Sequence, residues 1–239
     1  MSDIFRFKKF EMRNSASAQK VGTDGVLLGA WTSLPAAADN SPEAIRILDI
    51  GTGTGVIALM LAQRCPQAEI TGLDIDLASA EEAALNFKES PWDGRLEARC
   101  VPLQEFEGEP FDLIVSNPPF FINSLKAPSE RRSAARHTDT LSHADLISST
   151  LRLLSPQGRL ALIYPPEEAA DFILAAESAG LHLVRRCEVR SKSGKGVKRM
   201  LLEFSRTDLP CIFESLDILL GDDYSPQYRE LLKEFYLNF

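Results

Sequence analysis

Apolar and polar positions follow two periods along most of the chain. Short apolar runs at residues 44–50, 68–73, 96–101, 111–116 and 159–164 predict strands, and helical patterns at residues 56–64, 77–89, 141–154 and 167–179 predict helices. Two further runs, at residues 181–190 and 197–205, are joined by a short loop of Gly and Lys and predict an antiparallel hairpin. Strands that alternate with helices form a mostly parallel sheet covered on both faces.

The pattern therefore predicts an α/β fold with a mostly parallel seven-stranded sheet of Rossmann-like type, helices on both faces and a C-terminal antiparallel hairpin. A chain of 239 residues fits one domain. We divide it into an N-terminal lid or extension (residues 1–43, with a loop at 35–42), the core sheet (44–206) and a C-terminal extension (207–239). In the last segment, Tyr224, Tyr228 and Tyr236 predict a packed helix.

Composition excludes several classes of protein. Hydrophobic residues make up 44% and charged residues 25% of the chain, which is the balance of an ordinary globular domain. The longest apolar run is much shorter than a membrane helix and the amino terminus lacks a secretory signal, so we expect a cytoplasmic protein without a membrane partner. The four cysteines form no C-x-x-C pair, so neither a metal site nor a disulfide framework is expected.

The distribution of charge is more informative than its sum. The formal net charge of −8 by itself counts against a nucleic-acid partner. Yet residues 1–20 carry a net +3, residues 121–143 a net +2 and residues 185–199 a net +6, from seven basic residues against one acidic residue. If these segments meet on one face, that face can bind a polyanion. The alternative is that each run is simply a solvated surface.

A glycine-rich turn follows the first sheet strand. Gly51, Gly53 and Gly55 lie two residues apart, whereas a dinucleotide-binding turn needs its third glycine where this chain has Val56. Glycine permits a left-handed backbone and a close approach of ligand to the strand end. Asp74 ends the next strand, where a carboxylate can accept both hydroxyl groups of a ribose. Together these features indicate an adenosine ligand without a diphosphate.

The glycine-rich turn and Asp74 resemble the corresponding features of the class I methyltransferases that use S-adenosylmethionine. The resemblance implies that the three glycines and Asp74 contact this cofactor. It also implies that Asp49 and Gly51 lie near the ammonium and carboxylate groups of its methionine part. Gln104, after the third strand, is then a candidate residue beside the adenine.

Asn117-Pro118-Pro119-Phe120 follows the fourth strand, where ligands of open α/β sheets bind. An exocyclic or amide nitrogen attacks a methyl group poorly because its lone pair is delocalised. The Asn117 side-chain oxygen and the Pro118 carbonyl can accept its two N–H groups and favour a pyramidal nitrogen, so no general base is needed before transfer. Prolines add no competing N–H, and Phe120 offers a face for stacking a planar substrate.

Similar tetrapeptides occur in several methyltransferase families, which methylate adenine N6, guanine N2 or glutamine N5. The substrate must therefore be inferred from other segments of the chain. The chain closely resembles, from residue 5 to 239, the bacterial tRNA adenine-N6 methyltransferases that act on valine tRNA at the adenosine 3′ of the anticodon. The segments that carry this likeness are residues 7–10, 20–31, 90–92, 135–137, 224–228 and 235–237. The family often has Tyr at the position of Phe120, and Phe keeps the stacking face.

The resemblance implies a tRNA anticodon stem-loop as the substrate, and the base must leave its stack to reach Asn117. Cofactor contacts are further expected at Lys20, Thr23 and Asp24, although Asp24 can instead cap a helix that begins near Gly25. Basic residues expected to contact RNA are Arg131, Arg132, Arg136, Lys192, Lys195, Lys198 and Arg199. His137 and His143 are expected to be structural or RNA-contacting, and neither is assigned as a general base.

Two alternatives stay open at this point. A protein glutamine-N5 methyltransferase explains the tetrapeptide and leaves the basic hairpin without a role. A methyltransferase-fold protein that binds RNA without catalysis explains the basic segments and leaves the tetrapeptide unexplained. A monomer is favoured, and the particular tRNA and any prior modification are open.

Overall fold

The computed structural model describes residues 4–17, 20–35, 44–119 and 141–239. Its strands are β1 (Ile4–Arg6), β2 (Glu11–Arg13), β3 (Ile45–Ile50), β4 (Ala68–Asp74), β5 (Leu96–Cys100), β6 (Phe111–Ser116), β7 (Leu154–Tyr164), β8 (His182–Lys192), β9 (Val197–Ser205), β10 (Ile212–Leu220) and β11 (Asp223–Tyr224). Its helices are α1 (Thr23–Trp31), α2 (Val56–Arg64), α3 (Leu77–Glu89), α4 (His143–Leu153), α5 (Pro166–Ser178) and α6 (Pro226–Leu232).

The main sheet has the strand order β11-β10-β8-β9-β7-β6-β3-β4-β5. Strands β3 to β7 pair in parallel, and β9 runs antiparallel to both β7 and β8. The predicted α/β fold with a parallel core and an antiparallel hairpin is confirmed. Ser142 caps α4 as the sequence suggested, because its hydroxyl accepts the Asp145 amide.

The predicted strand number is too small, because the described sheet has nine strands and not seven. Strand β10 extends the sheet by pairing in parallel with β8, and β11 adds a two-residue edge. Leu216 is the one buried residue of β10, so this edge strand lacks the apolar alternation that identifies a half-buried strand. Of the three tyrosines expected on a terminal helix, only Tyr228 lies in α6.

Helix α1 is buried on nearly all sides, and its two glycines explain how it packs. A β-carbon on Gly25 would lie 3.2 Å from Val56 Cγ1, and one on Gly29 would lie 3.1 Å from Met60 Cβ. Glycine therefore lets α1 approach α2 closely. Residues 23–31 were expected to belong to an N-terminal lid or extension. Helix α1 instead packs within the hydrophobic core.

Aromatic residues from both ends of the chain form a cluster with the middle of the chain. Phe7 stacks on Phe10 with 4.5 Å between ring centroids, and Phe10 meets Trp92 edge-on at 5.4 Å. Phe7 also stacks on Tyr236 at 6.2 Å, and the Lys8 amide donates to the Phe235 carbonyl. Segments 7–10, 90–92 and 235–237, which are far apart in sequence, thus meet in space.

Two kinds of structural feature are absent from the described ranges. None of their helices combines the length and the apolar character that a crossing of the bilayer requires. No group of three or more His, Cys, Asp or Glu side chains in these ranges could hold a metal ion.

Gly29→Val tests the contact between α1 and α2. Because the new side chain would overlap Met60, we expect a loss of about 1–3 kcal/mol in the free energy of unfolding, measured with urea. Gly196→Val is the control, since a β-carbon there meets nothing within 4 Å. Equal stability of the two variants would contradict the close packing.

Candidate active site

Three adjacent parallel strands bring the predicted site residues to one edge of the sheet. Ile50 at the end of β3 pairs with Leu73 of β4 and with Ser116 of β6, so the three carboxyl ends lie side by side. The glycine turn, Asp74 and Asn117 continue these ends. The hydrophobic runs of β3 and β6, which are buried on both faces, hold this arrangement.

Two neighbouring cavities open at this edge, with volumes of about 260 Å³ and about 640 Å³. Both are lined by Gly51, Gly53 and Asn117. Among the other predicted residues, the smaller cavity adds Lys20, Thr23 and Asp24, and the larger adds Asp74, Gln104, Pro118 and Pro119. The structure thus brings together nearly all described residues expected to bind cofactor or act in catalysis.

The glycines of the turn have two different roles. Gly51 has φ +68°, and a β-carbon there would meet no atom within 4 Å, so the turn leaves this side open to a ligand. Gly55 has φ +82°, and its β-carbon would lie 2.5 Å from the Phe87 ring of α3. Gly55 lines neither cavity and packs against Phe87, and its expected contact with cofactor stays a prediction.

Asp49 lies buried beneath the turn. Its Oδ2 accepts the Thr52 hydroxyl at 2.7 Å, whereas no hydrogen bond of normal geometry reaches the buried Oδ1 from the described residues. Burial raises the pKa of this carboxyl to about 7, although the Thr52 hydroxyl and the Ala58 backbone amide oppose the shift. A buried carboxylate favours the binding of a cationic group nearby, although Asp49 itself does not line either cavity.

Asp74 is held in place by backbone donors. Its Oδ2 accepts the Gly53 amide at 2.9 Å, and its Oδ1 accepts the Asp76 amide at 3.0 Å. Each carboxylate oxygen can accept a further donor. The larger cavity joins Asp74 to apolar walls from Leu73, Val101 and Leu103. An apolar slot with a few fixed acceptors suits a nucleoside.

Asn117 stands between the two cavities. Its Oδ1 atom is buried and accepts no hydrogen bond from the described part of the chain. Pro118 beside it is buried and Pro119 is exposed, whereas Phe120 lies outside the described residues. An orphaned amide oxygen at the junction of two cavities is suited to accept an N–H from a substrate bound there.

Helix α1 presents its first turn to the smaller cavity. Gly22 is the N-cap and no side chain caps this end, so the prediction that Asp24 caps the helix is wrong. The Asp24 carboxylate instead accepts the Arg199 guanidinium at 2.7 Å. Lys20 donates to the Ser15 carbonyl at 2.5 Å. Arg199 is therefore engaged at the cofactor edge and is less available to RNA than expected.

Much of the positive charge of the β8–β9 hairpin is paired within the protein. Glu188, which the charge count of residues 185–199 includes, supplies one of these carboxylates, and the others come from residues outside that segment. The ion pairs of this region are Arg185 with Glu203 and Glu214, Arg186 with Glu188, Arg190 with Glu188 and Asp217, and Lys192 with Asp222. Within the described ranges, Lys195 and Lys198 are the hairpin cations with no carboxylate at ion-pair distance. Arg131, Arg132, Arg136 and His137 lie outside these ranges.

His143 begins α4 and contacts two aromatic rings edge-on. Its ring centroid lies 5.3 Å from that of Tyr164 and 5.2 Å from that of Phe172. Burial lowers the pKa of this imidazole, which favours its neutral form. This packing agrees with the structural role that was one of the two expected.

The fold and the site together define a class I methyltransferase that uses S-adenosylmethionine. The family model described as Methyltransferase small domain matches residues 32–187, well over half of the chain. A solved structure named a predicted O-methyltransferase, from Agrobacterium tumefaciens, has a TM-score of 0.66 and covers 89% of this chain and 96% of its own. Its sequence identity of 20% supports the fold alone.

The chain belongs to the family of tRNA1(Val) (adenine(37)-N6)-methyltransferases. It is 45% identical over 236 residues to the member from Phocaeicola vulgatus, covering 98% of this chain and 97% of that relative. It is 43% identical over 241 residues to the member from Trichodesmium erythraeum, with 98% of both chains covered. The family resemblance found in the sequence is thereby confirmed.

Asp49→Asn tests the buried carboxyl in the absence of cofactor. Because the pKa of Asp49 lies above that of an aspartate in the unfolded chain, the folded state holds the proton more tightly, and stability falls as pH rises from about 4 to 7. The variant lacks this loss, so we expect it to be more stable than the wild type by about 1–3 kcal/mol at pH 8 and equally stable near pH 4.

Urea unfolding at both pH values measures the difference. Asp93→Asn, at an exposed position, is the control and should behave as the wild type. A variant of Asp49 that is less stable at pH 8 would show that this carboxylate is satisfied in the folded protein.

Proposed function

We propose that the protein transfers the methyl group of S-adenosylmethionine to the exocyclic N6 of an adenosine in the anticodon loop of tRNA. The names of its relatives specify adenosine 37 of a valine tRNA. The single observation that supports this chemistry most strongly is the buried, unpartnered Oδ1 of Asn117 between two cavities. Its position suits an amine that is held against a methyl donor bound in these cavities.

The residues that line the two cavities suggest which side chains would bind the cofactor. Asp74 and Gln104 would hold the nucleoside in the larger cavity, and the open side of Gly51 would accept the methionine part. Asp49, with its buried carboxyl, would favour the ammonium group. When bound, the cofactor supplies an electrophilic methyl group on a sulfonium. Lys20, Thr23 and Asp24 are proposed to close the smaller cavity around it.

Asn117 and Pro118 would act on the target amine. The Asn117 oxygen and the Pro118 carbonyl accept its two N–H groups, which favours a nitrogen with its lone pair directed out of the ring plane. The prolines hold these acceptors and add no donor of their own. After transfer the nitrogen carries a positive charge and releases its proton to water, so no side chain is required as a base. Phe120 is proposed as the stacking surface for adenine.

The RNA phosphates would bind to basic side chains that are not already paired with a carboxylate. Lys195 and Lys198 are proposed to contact phosphates, together with Arg131, Arg132 and Arg136. Lys192 and Arg199 are assigned a smaller part, because Asp222 and Asp24 already neutralise them. A cytoplasmic location is part of the proposal because tRNA is the substrate, and the favoured monomer stays a prediction.

Asn117→Ala tests the chemistry. Loss of a preorganised acceptor should lower kcat for unmodified tRNA by about 10²- to 10³-fold, while the Kd for S-adenosylmethionine changes much less. Label transfer from the cofactor, followed by nucleoside analysis for N6-methyladenosine, measures the effect. Asn238→Ala, at an exposed position, should retain wild-type activity. Near-normal transfer by Asn117→Ala, or label in a protein and none in RNA, would contradict the proposal.

Lys195→Ala with Lys198→Ala tests the binding of RNA phosphates. We expect the slope of log Kd for tRNA against log salt to fall by roughly 0.7–0.9 for each phosphate that the variant no longer neutralises. Lys192→Ala removes a cation of the same hairpin that is paired with Asp222, and it should change the slope less. A change in slope that is as large for Lys192→Ala as for the double variant would show that the ion pair does not limit RNA binding.

A further inference from the structure

Residues 14–17 and 20–21, here called the loop, precede α1 and lie beside α3. The Val21 amide donates to Asn14 Oδ1 at 2.9 Å, and Lys20 Nζ donates to the Ser15 carbonyl at 2.5 Å, so residues 14–15 are tied to residues 20–21. This loop contributes Ser17 to the larger cavity and Lys20 to the smaller one. Its shape therefore decides one wall of the proposed cofactor site.

A single buried carboxylate from α3 lies inside this loop. Glu82, which is 3% exposed, accepts three successive backbone amides: Ser15 and Ala16 donate to Oε1 at 2.7 and 2.9 Å, and Ser17 donates to Oε2 at 2.7 Å. The Ser15 hydroxyl lies 3.3 Å from the same Oε1. Consecutive amides that converge on one anion form a nest, which is a strong anion site.

The charge on Glu82 is maintained by these donors. Burial opposes ionisation, but the amides of Ala16, Ser15 and Ser17 outweigh it and hold the pKa of Glu82 below its usual value. Both oxygens are used as acceptors, so the loop is matched to a carboxylate. A glutamine of the same shape would turn an NH2 group toward at least one of the backbone amides and leave that amide without an acceptor.

The same face of α3 also holds the glycine turn. Asn86, one helical turn after Glu82, donates from Nδ2 to the Thr54 carbonyl at 2.8 Å and to the Arg13 carbonyl at 3.1 Å. Its Oδ1 accepts the Arg13 amide at 2.7 Å. Ser79, at the start of α3, donates to the Ser17 hydroxyl at 3.2 Å and lines the larger cavity. Side chains of α3 thus hold both the loop and the glycine turn.

We infer that Glu82 is a positioning residue for the methyl donor: its carboxylate fixes residues 15–17, which places Ser17 at the larger cavity and, through the bond of Lys20 to the Ser15 carbonyl, Lys20 at the smaller one. The inference rests on the proposed cofactor site. Because the side-chain hydrogen bonds of Glu82 within the described residues go to residues 15–17, it should affect the binding of S-adenosylmethionine and leave the transfer step largely unchanged. Asn86 supports the same arrangement from the glycine turn.

Glu82→Gln tests this role, and Glu81→Gln is the matched control, because Glu81 is the adjacent residue of α3 and is exposed. We expect the Kd for S-adenosylmethionine, measured by titration calorimetry without tRNA, to rise about tenfold or more in Glu82→Gln and to stay unchanged in Glu81→Gln. At saturating cofactor, kcat should stay within about threefold of the wild type. Amide exchange at residues 15–17 should increase while that of the sheet does not.

An unchanged Kd in a folded Glu82→Gln, or an equal loss in Glu81→Gln, would overturn the inference. A large loss of kcat at saturating cofactor with an unchanged Kd would also overturn it. If Glu82→Gln does not fold, Asn14→Ala removes the tie to Val21 without touching the buried carboxylate, and its Kd should rise about threefold or more. An unchanged Kd for Asn14→Ala would then overturn it. Failure of the proposed function itself is distinct, since the wild type would then bind no cofactor or methylate no tRNA.

Discussion

The register of three parallel strands is the constraint on which the site depends. Because β3, β4 and β6 end together, a backbone turn, a ribose-type acceptor and an amide oxygen meet at one edge without any of them being adjacent in sequence. One of the acceptors collected there, Asn117 Oδ1, is buried without a donor in the described chain. Unsatisfied buried acceptors are costly, so the site is complementary to ligands that bring N–H groups and positive charge.

The part of this arrangement that depends on local pattern could be predicted from the sequence. The strands of the core, helices α2 and α3, and the positions of Asp74 and Asn117 at strand ends follow from period, glycine spacing and the rule that ligands bind beyond the carboxyl ends of parallel strands. A left-handed glycine can serve either ligand approach or packing, so the sequence alone could not predict that Gly55 packs against the ring of Phe87.

What could not be predicted depends on contacts between distant segments. The sequence of the basic hairpin suggests a free cationic surface, yet Glu203 within β9 and Glu214 and Asp217 on β10 pair with its arginines. Strand β10 itself was missed because an edge strand with one buried residue has little periodicity. The sequence does not distinguish Glu82 from the other acidic residues of α3. Its role as an acceptor becomes visible only in the structure, where the backbone amides of residues 15–17 donate to it.

The proposed methyl transfer depends on the Asn117 side-chain oxygen accepting an N–H of the target amine. A crystal structure of the 239-residue protein with S-adenosylhomocysteine and an anticodon stem-loop RNA would test this contact. We expect a distance of about 2.7–3.2 Å between Asn117 Oδ1 and N6 of the flipped adenine, with N6 directed toward the cofactor sulfur. An N6 atom more than about 4 Å from Asn117 Oδ1 in a complex with the cofactor product correctly seated would contradict it.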